Sequence, residues 1–227
     1  MLYLIHYAIF HDPHHIFIYL LGDIAFLPIQ VLLVTLIIDE LLSQREKRSV
    51  LKKLNMVIGT FFSEVGIKLL KSFAAFDLNS EKIRQALIVN DTWTPEQFID
   101  VAKLLKRYDC SIESQRGDLA ELKQSLTSKR DFLLRLLENP NLLEHETFAD
   151  LLRAVFHRTE ELNHRTDVRK LTKPDYDHLA NDIKRAHLLL LSEWVDYMKY
   201  LKANYPYLFS LAIRVNPFDP SASVEFK

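Results

Sequence analysis

The order of apolar and polar residues along the chain predicts helices almost throughout. Residues 16–38 read IFIYLLGDIAFLPIQVLLVTLII, an apolar run in which Asp23 is the single charged side chain. At about 1.5 Å of rise per residue, a helix of this length crosses a hydrocarbon layer of roughly 30 Å. No basic segment or small-residue cleavage site of a signal peptide accompanies the run. We therefore predict a transmembrane helix over residues 16–42 that is retained as an anchor.

Beyond the anchor, apolar residues recur every three or four positions, which indicates amphipathic helices. The first, over residues 50–76, is expected to pack its apolar face on the domain core or on a second copy, or to lie on the membrane surface. Further helices are predicted over residues 80–90, from Thr94-Pro95-Glu96-Gln97 onward, and over residues 112–138, 142–165 and 174–204.

These elements predict an all-α fold, in which an N-terminal transmembrane helix is followed by a cytoplasmic multi-helix bundle. The expected segments are an interfacial or non-cytoplasmic stretch (1–15), the anchor (16–42), a basic juxtamembrane and amphipathic helix (43–76), the bundle (77–205), and an apolar segment with an extended tail (206–227). The tail is expected to be extended because Pro217 and Pro220 interrupt it.

The distribution of basic residues predicts the orientation of the chain in the membrane. Residues 1–42 contain no Lys or Arg, so all 29 basic residues of the chain follow the anchor. The bases that come directly after it are Arg45, Lys47, Arg48, Lys52 and Lys53. Basic residues favour the cytoplasmic side of a membrane, where they also bind anionic lipid headgroups. We expect the N-terminus outside and the C-terminal domain in the cytoplasm.

Two polar side chains inside the predicted span, Asp23 and Gln30, need an explanation. An intramembrane acid is expensive to bury and can serve as a proton or ion site, or pair with a partner helix. Alternatively, Asp23 lies near the outer headgroups or is protonated. Pro28 removes one helix hydrogen bond, which neighbouring helices help to tolerate, so it points weakly to self-association.

Composition excludes several classes of function. Four glycines are too few for the glycine-rich loops of P-loop and dinucleotide-binding proteins. A single cysteine, Cys110, excludes an intrachain disulfide and a multi-cysteine zinc or iron–sulfur site. No histidine near Cys110 in sequence marks it as a nucleophile. The basic residues do not form the patch that nucleic-acid binding requires, so no nucleic-acid partner is expected.

The sharpest candidate for chemistry is a stripe of three potential metal ligands, His157, Glu161 and His164, at helical spacing. Glu161 and His164 also match the Glu-x-x-His spacing of di-iron bundles, and the last long helix adds Asp175, His178, Asp182 and His187. A solvated polar helix face explains the same pattern. Apart from this divalent-metal hypothesis, no cofactor is expected. Histidines are also dense near the N-terminus (His6, His11, His14, His15).

Two stretches, LENPNLLEHETFADLLRAVFHRTEEL (137–162) and NYPYLFSLAIRVNPFDP (204–220), resemble those of uncharacterised prokaryotic single-pass, membrane-anchored helical proteins. FLPIQVLLVTLIID, within the anchor, has the same resemblance. The resemblance implies a bacterial or archaeal cytoplasmic membrane. It implies no activity, cofactor or catalytic residue.

Three functions fit these observations. The first is a membrane-tethered helical scaffold, interaction or signal-relay module that binds lipids and associates with itself or with another membrane protein. The second is a membrane-bound metal-binding protein or metalloenzyme with its site in the bundle. The third is a small pore or transporter subunit that uses Asp23 and Gln30. No sequence motif indicates an enzyme.

Overall fold

Helices account for most of the chain, as the apolar periodicity predicted. The computed structural model describes residues 2–223 and residue 225, without the side chains of Leu2 and Leu143, so parts of the predicted N-terminal segment and tail lie outside the described residues. Within the described range there is no β-strand, only an isolated antiparallel bridge between Asp77 and Ile112. The prediction of an all-α fold is confirmed. The chain divides into two compact units, Met1–Val50 and Leu51–Lys227.

The first unit holds α1 (Leu2–Phe10) and most of α2 (Pro13–Phe61). The chain turns between them at His11, which has a positive φ of 53°. Oδ1 of Asp12 accepts hydrogen bonds from the backbone N–H groups of His14 and His15, at 3.1 and 3.2 Å, and so caps the start of α2. The helix then continues through Pro28.

The apolar part of α2 is exposed on all sides. Its most apolar 18-residue window has a mean hydropathy of 2.2, and none of that window is buried. By length and composition, this is the one helix in the described part of the chain that could cross a membrane.

The second unit begins with the end of α2, a π turn (Phe62–Gly66) and α3 (Ile67–Phe76). The apolar residues of this stretch are buried: Leu54, Ile58, Phe61, Phe62, Val65, Leu69, Leu70, Phe73 and Phe76. They pack in the core of their own unit. Of the three surroundings proposed for this apolar face, the structure shows the domain core.

The remaining helices of this unit are α4 (Ser80–Arg84), α5 (Pro95–Lys106), α6 (Leu119–Ser128), α7 (Arg130–Leu137), α8 (Glu146–His164), α9 (Lys173–Asn204) and α10 (Pro206–Arg214). Short 3-10 turns occupy Gln85–Leu87 and Pro140–Glu144. Helix α9 packs against α3, α5, α8 and α10 and is therefore the central helix of the unit.

Helix α5 begins at its predicted cap, whereas α9 begins one residue before the predicted Pro174, at a cap that was not predicted. Thr94 and Gln97 form a complete capping box before α5, and Thr172 and Asp175 form another before α9. In both cases the threonine side chain accepts from a backbone N–H of the first turn, while the second residue reaches back to the backbone of the cap. These starts depend on neighbouring residues alone.

The single helix predicted over residues 112–138 is wrong: the structure has α6 and α7 instead. Helix α6 begins only after Asp118, whose carboxylate accepts from the N–H groups of Ala120 and Glu121. Gly117 lies against the ring of Phe76, where an added Cβ would come within 2.5 Å. The helices are separated at Lys129, whose φ and ψ of −107° and 6° are not helical.

The C-terminal segment also differs from its prediction. After α10 the chain turns rather than extending, and the side chains of Asn216 and Phe218 are buried. Phe218 packs edge-on against Trp194, with ring centroids 5.1 Å apart. The amide of Asn216 donates to the carbonyl of Leu87 at 3.0 Å. Part of the predicted tail is therefore part of the core.

Candidate functional site

Three potential ligand groups meet inside the second unit: the carboxylate of Asp77, the thiol of Cys110 and the imidazole of His187. Asp77 follows the last residue of α3, Cys110 lies in the loop after α5, and His187 lies on α9. One ligand atom from each residue lies within 4.8 Å of the other two, and all three side chains are buried.

The Asp77 carboxylate is held by several hydrogen bonds. Its Oδ1 accepts from the backbone N–H groups of Asn79 and Ser111, at 3.0 and 3.1 Å. Its Oδ2 accepts from the hydroxyl of Tyr108 at 2.5 Å and lies 3.8 Å from Nε2 of His187. The carboxylate orientation is therefore fixed by the loop that carries Cys110.

Burial controls the protonation of this cluster. Desolvation lowers the pKa of His187 to about 4, although the Asp77 charge opposes the shift. Desolvation, followed by the Asp77 charge, raises the pKa of Cys110 to about 12. At neutral pH the imidazole is thus uncharged and the thiol is protonated. Because the thiolate is the reactive form of cysteine, this environment does not activate Cys110 as a nucleophile.

His187 also borders a pocket of about 330 Å³. Three basic residues, Lys71, Arg84 and Arg116, line the same pocket, together with Glu81. The guanidinium of Arg84 is paired with Glu81 at 2.8 Å. A pocket lined by basic residues therefore lies next to His187.

The predicted metal stripe on α8 lies in a different place, at a charged surface between α8 and α9. His157 and Glu161 meet Asp182 there, and their ligand atoms lie within 4.8 Å of one another. His178 joins them, with Nε2 3.2 Å from the Glu161 carboxylate. His164 is not part of this group, because its Nδ1 lies 2.7 Å from the Glu160 carbonyl oxygen.

An arginine already supplies positive charge at this surface cluster. The buried guanidinium of Arg158 donates to Glu161 at 2.7 Å and also to Asp182. Arg165 adds a second guanidinium, donating to Glu161 and Asp175, each at 2.8 Å. A metal ion on Glu161 and Asp182 would have to compete with these bonds. The metal role of His157, Glu161 and His164 stays a prediction.

Asp175 belongs to both this charge network and a helix cap. Hydrogen bonds from Thr172 and from Arg165 lower the pKa of its carboxyl to about 2. The cap of α9 is therefore tied to α8 through one carboxylate, which gives the network a role in packing the two helices together.

In the first unit, α1 brings Tyr3 next to Asp23, and the phenol donates a hydrogen bond to the carboxylate. The rings of His6 and His15 stack nearby, with centroids 6.2 Å apart. Asp23 thus has a partner within its own unit. Gln30, further along α2, is exposed.

The basic residues proposed to bind lipid headgroups are all exposed on α2. They are Arg45, Lys47, Arg48, Lys52 and Lys53. Their exposure is what headgroup binding requires, and that role stays a prediction.

An apolar groove of about 530 Å³ runs between the end of α2, α9 and α10. It is lined by methionines and tyrosines that include Met56, Tyr197, Tyr205 and Tyr207. Met56 and Tyr207 are exposed at its edge.

Comparison with known proteins gives a consistent result over almost the entire chain. Residues 50–214 match the family model described as the C-terminal helical domain of uncharacterized protein MJ1433, and residues 1–42 match that of its N-terminal helical domain. The chain belongs to the MJ1433 family. Uncharacterized protein MJ1433 of Methanocaldococcus jannaschii is 49% identical over 219 residues, which cover 96% of this chain and 88% of that protein. No solved structure matches.

Membership of the MJ1433 family confirms the predicted relationship to an uncharacterised prokaryotic family. Both polar clusters of the second unit lie within the region that matches the C-terminal helical domain of the family. Sequence reasoning missed the buried one, because Asp77, Cys110 and His187 are far apart in the chain and share no motif spacing. The available signal was His187 itself, a polar residue that falls on the apolar face of its helix between Ile183 and Leu190.

Proposed function

We propose that the chain is a membrane-tethered helical interaction module that associates with itself through its apolar helix. One observation carries the tether: the most apolar window of α2 is not buried at all. A helix that is apolar all round is unfavourable in water and is expected in lipid or against other apolar helices. A membrane provides lipid around the helix and allows contact with other apolar helices.

The orientation follows from the charges beside this helix. Residues 1–42 hold no Lys or Arg, whereas exposed bases follow between residues 45 and 53. We therefore place the N-terminus outside and the second unit in the cytoplasm. The relative in an archaeon, Methanocaldococcus jannaschii, favours a prokaryotic cytoplasmic membrane as the location.

We assign self-association to the apolar span, because the other surface that was predicted to contact a second copy is already packed inside its own unit. The apolar face of residues 54–76 packs in the core of its own unit and is not free for a second copy. In the span, by contrast, Gln30 is an exposed polar side chain. A glutamine in lipid gains hydrogen bonds, worth about 1–2 kcal/mol or less, by facing another helix. Residues around Gln30 are therefore the proposed contact between copies.

The tether is tested by fractionation of cells that express the full chain. We expect the protein in membranes and resistant to alkaline extraction. A variant with Leu32→Lys and Leu33→Lys places two charges in the span and should release it, whereas Lys47→Leu and Arg48→Leu should not. Recovery of the unaltered chain as a folded, soluble protein would contradict the tether.

Self-association is tested separately, by native mass spectrometry of the full chain in lipid nanodiscs. We expect a homo-oligomer, weakened at least tenfold by Gln30→Leu and unaffected by Gln44→Leu, which lies on the same helix beyond the span. A membrane-inserted monomer over the whole concentration range would end this part of the proposal and leave the tether standing.

A further inference from the structure

The buried cluster of Asp77, Cys110 and His187 has the donor set of a transition-metal site. It offers one carboxylate oxygen, one sulfur and one imidazole nitrogen, from three separate segments of the second unit. Zn²⁺ is bound by these three ligand types, in tetrahedral geometry. Catalytic and open zinc sites commonly use three protein ligands and one water.

The distances are close to those that a zinc ion needs. Ligand atoms around tetrahedral zinc lie roughly 3.3–3.8 Å apart, given metal–ligand bonds of about 2.0–2.3 Å. Oδ2 of Asp77 and Nε2 of His187 are 3.8 Å apart, and all three ligand atoms lie within 4.8 Å of one another. An inward movement of about 1 Å or less by the cysteine sulfur is sufficient.

The surroundings of Asp77 match the supporting shell of a metal site. Ligating carboxylates are generally held by hydrogen bonds that fix their orientation. Here Oδ1 is held by two backbone N–H groups, from Asn79 and Ser111, and Oδ2 by the hydroxyl of Tyr108.

The charges of the cluster also favour a cation. The Asp77 side chain is completely buried, and within the described residues no Lys or Arg nitrogen lies within 4.0 Å of its carboxylate. Three hydrogen bonds hold this carboxylate, but in the described part of the chain it has no Lys or Arg partner at salt-bridge distance, and a buried charge without a counter-ion is costly. A divalent ion bound by a carboxylate, a thiolate and a neutral imidazole brings the net charge of the site to zero.

The second ring nitrogen of His187 is also consistent with a ligating role for Nε2. This side chain borders the 330 Å³ pocket, and its Nδ1 is buried without a hydrogen-bond partner among the described residues. With Nε2 on the ion, Nδ1 would carry the ring proton and donate it to a water in the pocket, which is the usual arrangement for a ligating histidine.

We propose that Asp77 Oδ2, Cys110 Sγ and His187 Nε2 bind one Zn²⁺ ion, with a water as the fourth ligand. On binding, Cys110 gives up its thiol proton to solvent and forms the zinc–sulfur bond as a thiolate. This site is separate from the charged surface of His157 and Glu161, where Arg158 already occupies the position between the carboxylates.

The full chain in nanodiscs, stripped with a chelator, is titrated with Zn²⁺ against a chromophoric competitor. It is also titrated with Co²⁺, whose bond to a thiolate gives a charge-transfer band in the near ultraviolet. We expect one ion per chain and the cobalt–thiolate band. Cys110→Ser should remove the band and weaken zinc binding at least 100-fold, and Tyr108→Phe should weaken it about tenfold by loosening the carboxylate.

The control is the double variant His157→Ala/His164→Ala, which should bind zinc as the unaltered chain does. The absence of zinc binding by the folded chain, or a cobalt spectrum without the thiolate band, would overturn the proposal even if Cys110→Ser does not fold. Binding that is lost in the double variant and kept in Cys110→Ser would also overturn it, by placing the ion at the surface of α8.

Discussion

The guanidinium of Arg158 lies buried between two helices and donates a hydrogen bond to the carboxylate of Asp182 on α9. Its other terminal nitrogen donates to Glu161 on its own helix. Arg158 thus pairs with two acids across the α8–α9 contact, and Arg165 also pairs with one of them, Glu161. Because α9 is the central helix of the unit, this bond set is a main polar connection in an otherwise apolar core.

Replacement of Arg158 by methionine should strongly destabilise the second unit. It leaves Asp182 without a guanidinium partner and Glu161 with Arg165 as its remaining guanidinium partner, and loss of a buried partner costs up to about 3–5 kcal/mol. Arg153→Met is the matched control, because its pair with Asp150 is exposed and should contribute about 0–1 kcal/mol. Urea unfolding of the full chain in detergent, followed by fluorescence of the buried Trp93 and Trp194, gives both values. Equal losses would contradict the role of Arg158.

His187 should make the unit sensitive to acid. Its pKa is about 4 in the folded chain, against an ordinary value of 6.5. Between these values the unfolded chain binds a proton that the folded chain does not, so stability falls as the pH falls through this window. The slope contributed is up to about 1.4 kcal/mol per pH unit.

This contribution is measured by urea unfolding at a series of pH values between 4 and 7, with chelator present. His187→Asn should reduce the slope of the unfolding free energy against pH by up to the equivalent of one bound proton. His157→Asn, at an exposed histidine, should not. Parallel slopes in the unaltered chain and in His187→Asn would show that the buried imidazole titrates normally.

The glycine at position 117 should resist substitution. An added Cβ would lie 2.5 Å from the ring of the buried Phe76, so Gly117→Ala forces the ring or the loop to move. We expect a loss of about 1–3 kcal/mol, typical of overpacking. Gly59→Ala is the comparison: its Cβ meets only the hydroxyl end of Tyr197, and alanine favours the helix by about 1 kcal/mol. An unchanged melting temperature of Gly117→Ala would mean that the loop can move away from the added Cβ at little cost.

Asn216 should anchor the segment that follows α10. Its amide donates to the carbonyl of Leu87, and its Oδ1 accepts from the N–H of Phe218. Asn216→Ala leaves both buried partners unsatisfied, at a cost of about 1–3 kcal/mol, and should expose the segment to limited proteolysis. Asn204→Ala, which removes an exposed bond to Tyr200, is expected to change neither measurement. Equal protease sensitivity in both variants would count against the anchor.

Local signals in the sequence predicted the elements that local interactions determine. The capping box at Thr94 is complete within four residues and α5 begins as predicted, while α9 begins at Lys173, one residue before the predicted Pro174. The break at Lys129 has no such signal, since the apolar periodicity runs through it. Its side chain instead binds Glu64 in the π turn, a contact between residues 65 positions apart that exists only in the folded unit.

The candidate sites also divide into features that local spacing predicts and features that arise only from tertiary contacts. The stripe of His157 and Glu161 was visible as helical spacing, but its neighbours Arg158 and Asp182 become decisive only when α8 meets α9. The group of Asp77, Cys110 and His187 depends entirely on tertiary packing. Sequence periodicity fixes which face of α9 points inward, and it does not fix which loop that face meets.

The burial of Phe218 against Trp194 also has a consequence for the order of events during synthesis. A ribosome delivers the apolar segment around residues 16–38 first and the residues that complete the core of the second unit last. At about 5–20 residues per second, these moments are roughly 10–40 s apart. Through that interval the nascent chain has an exposed apolar helix, while the core of the second unit still lacks the ring of Phe218.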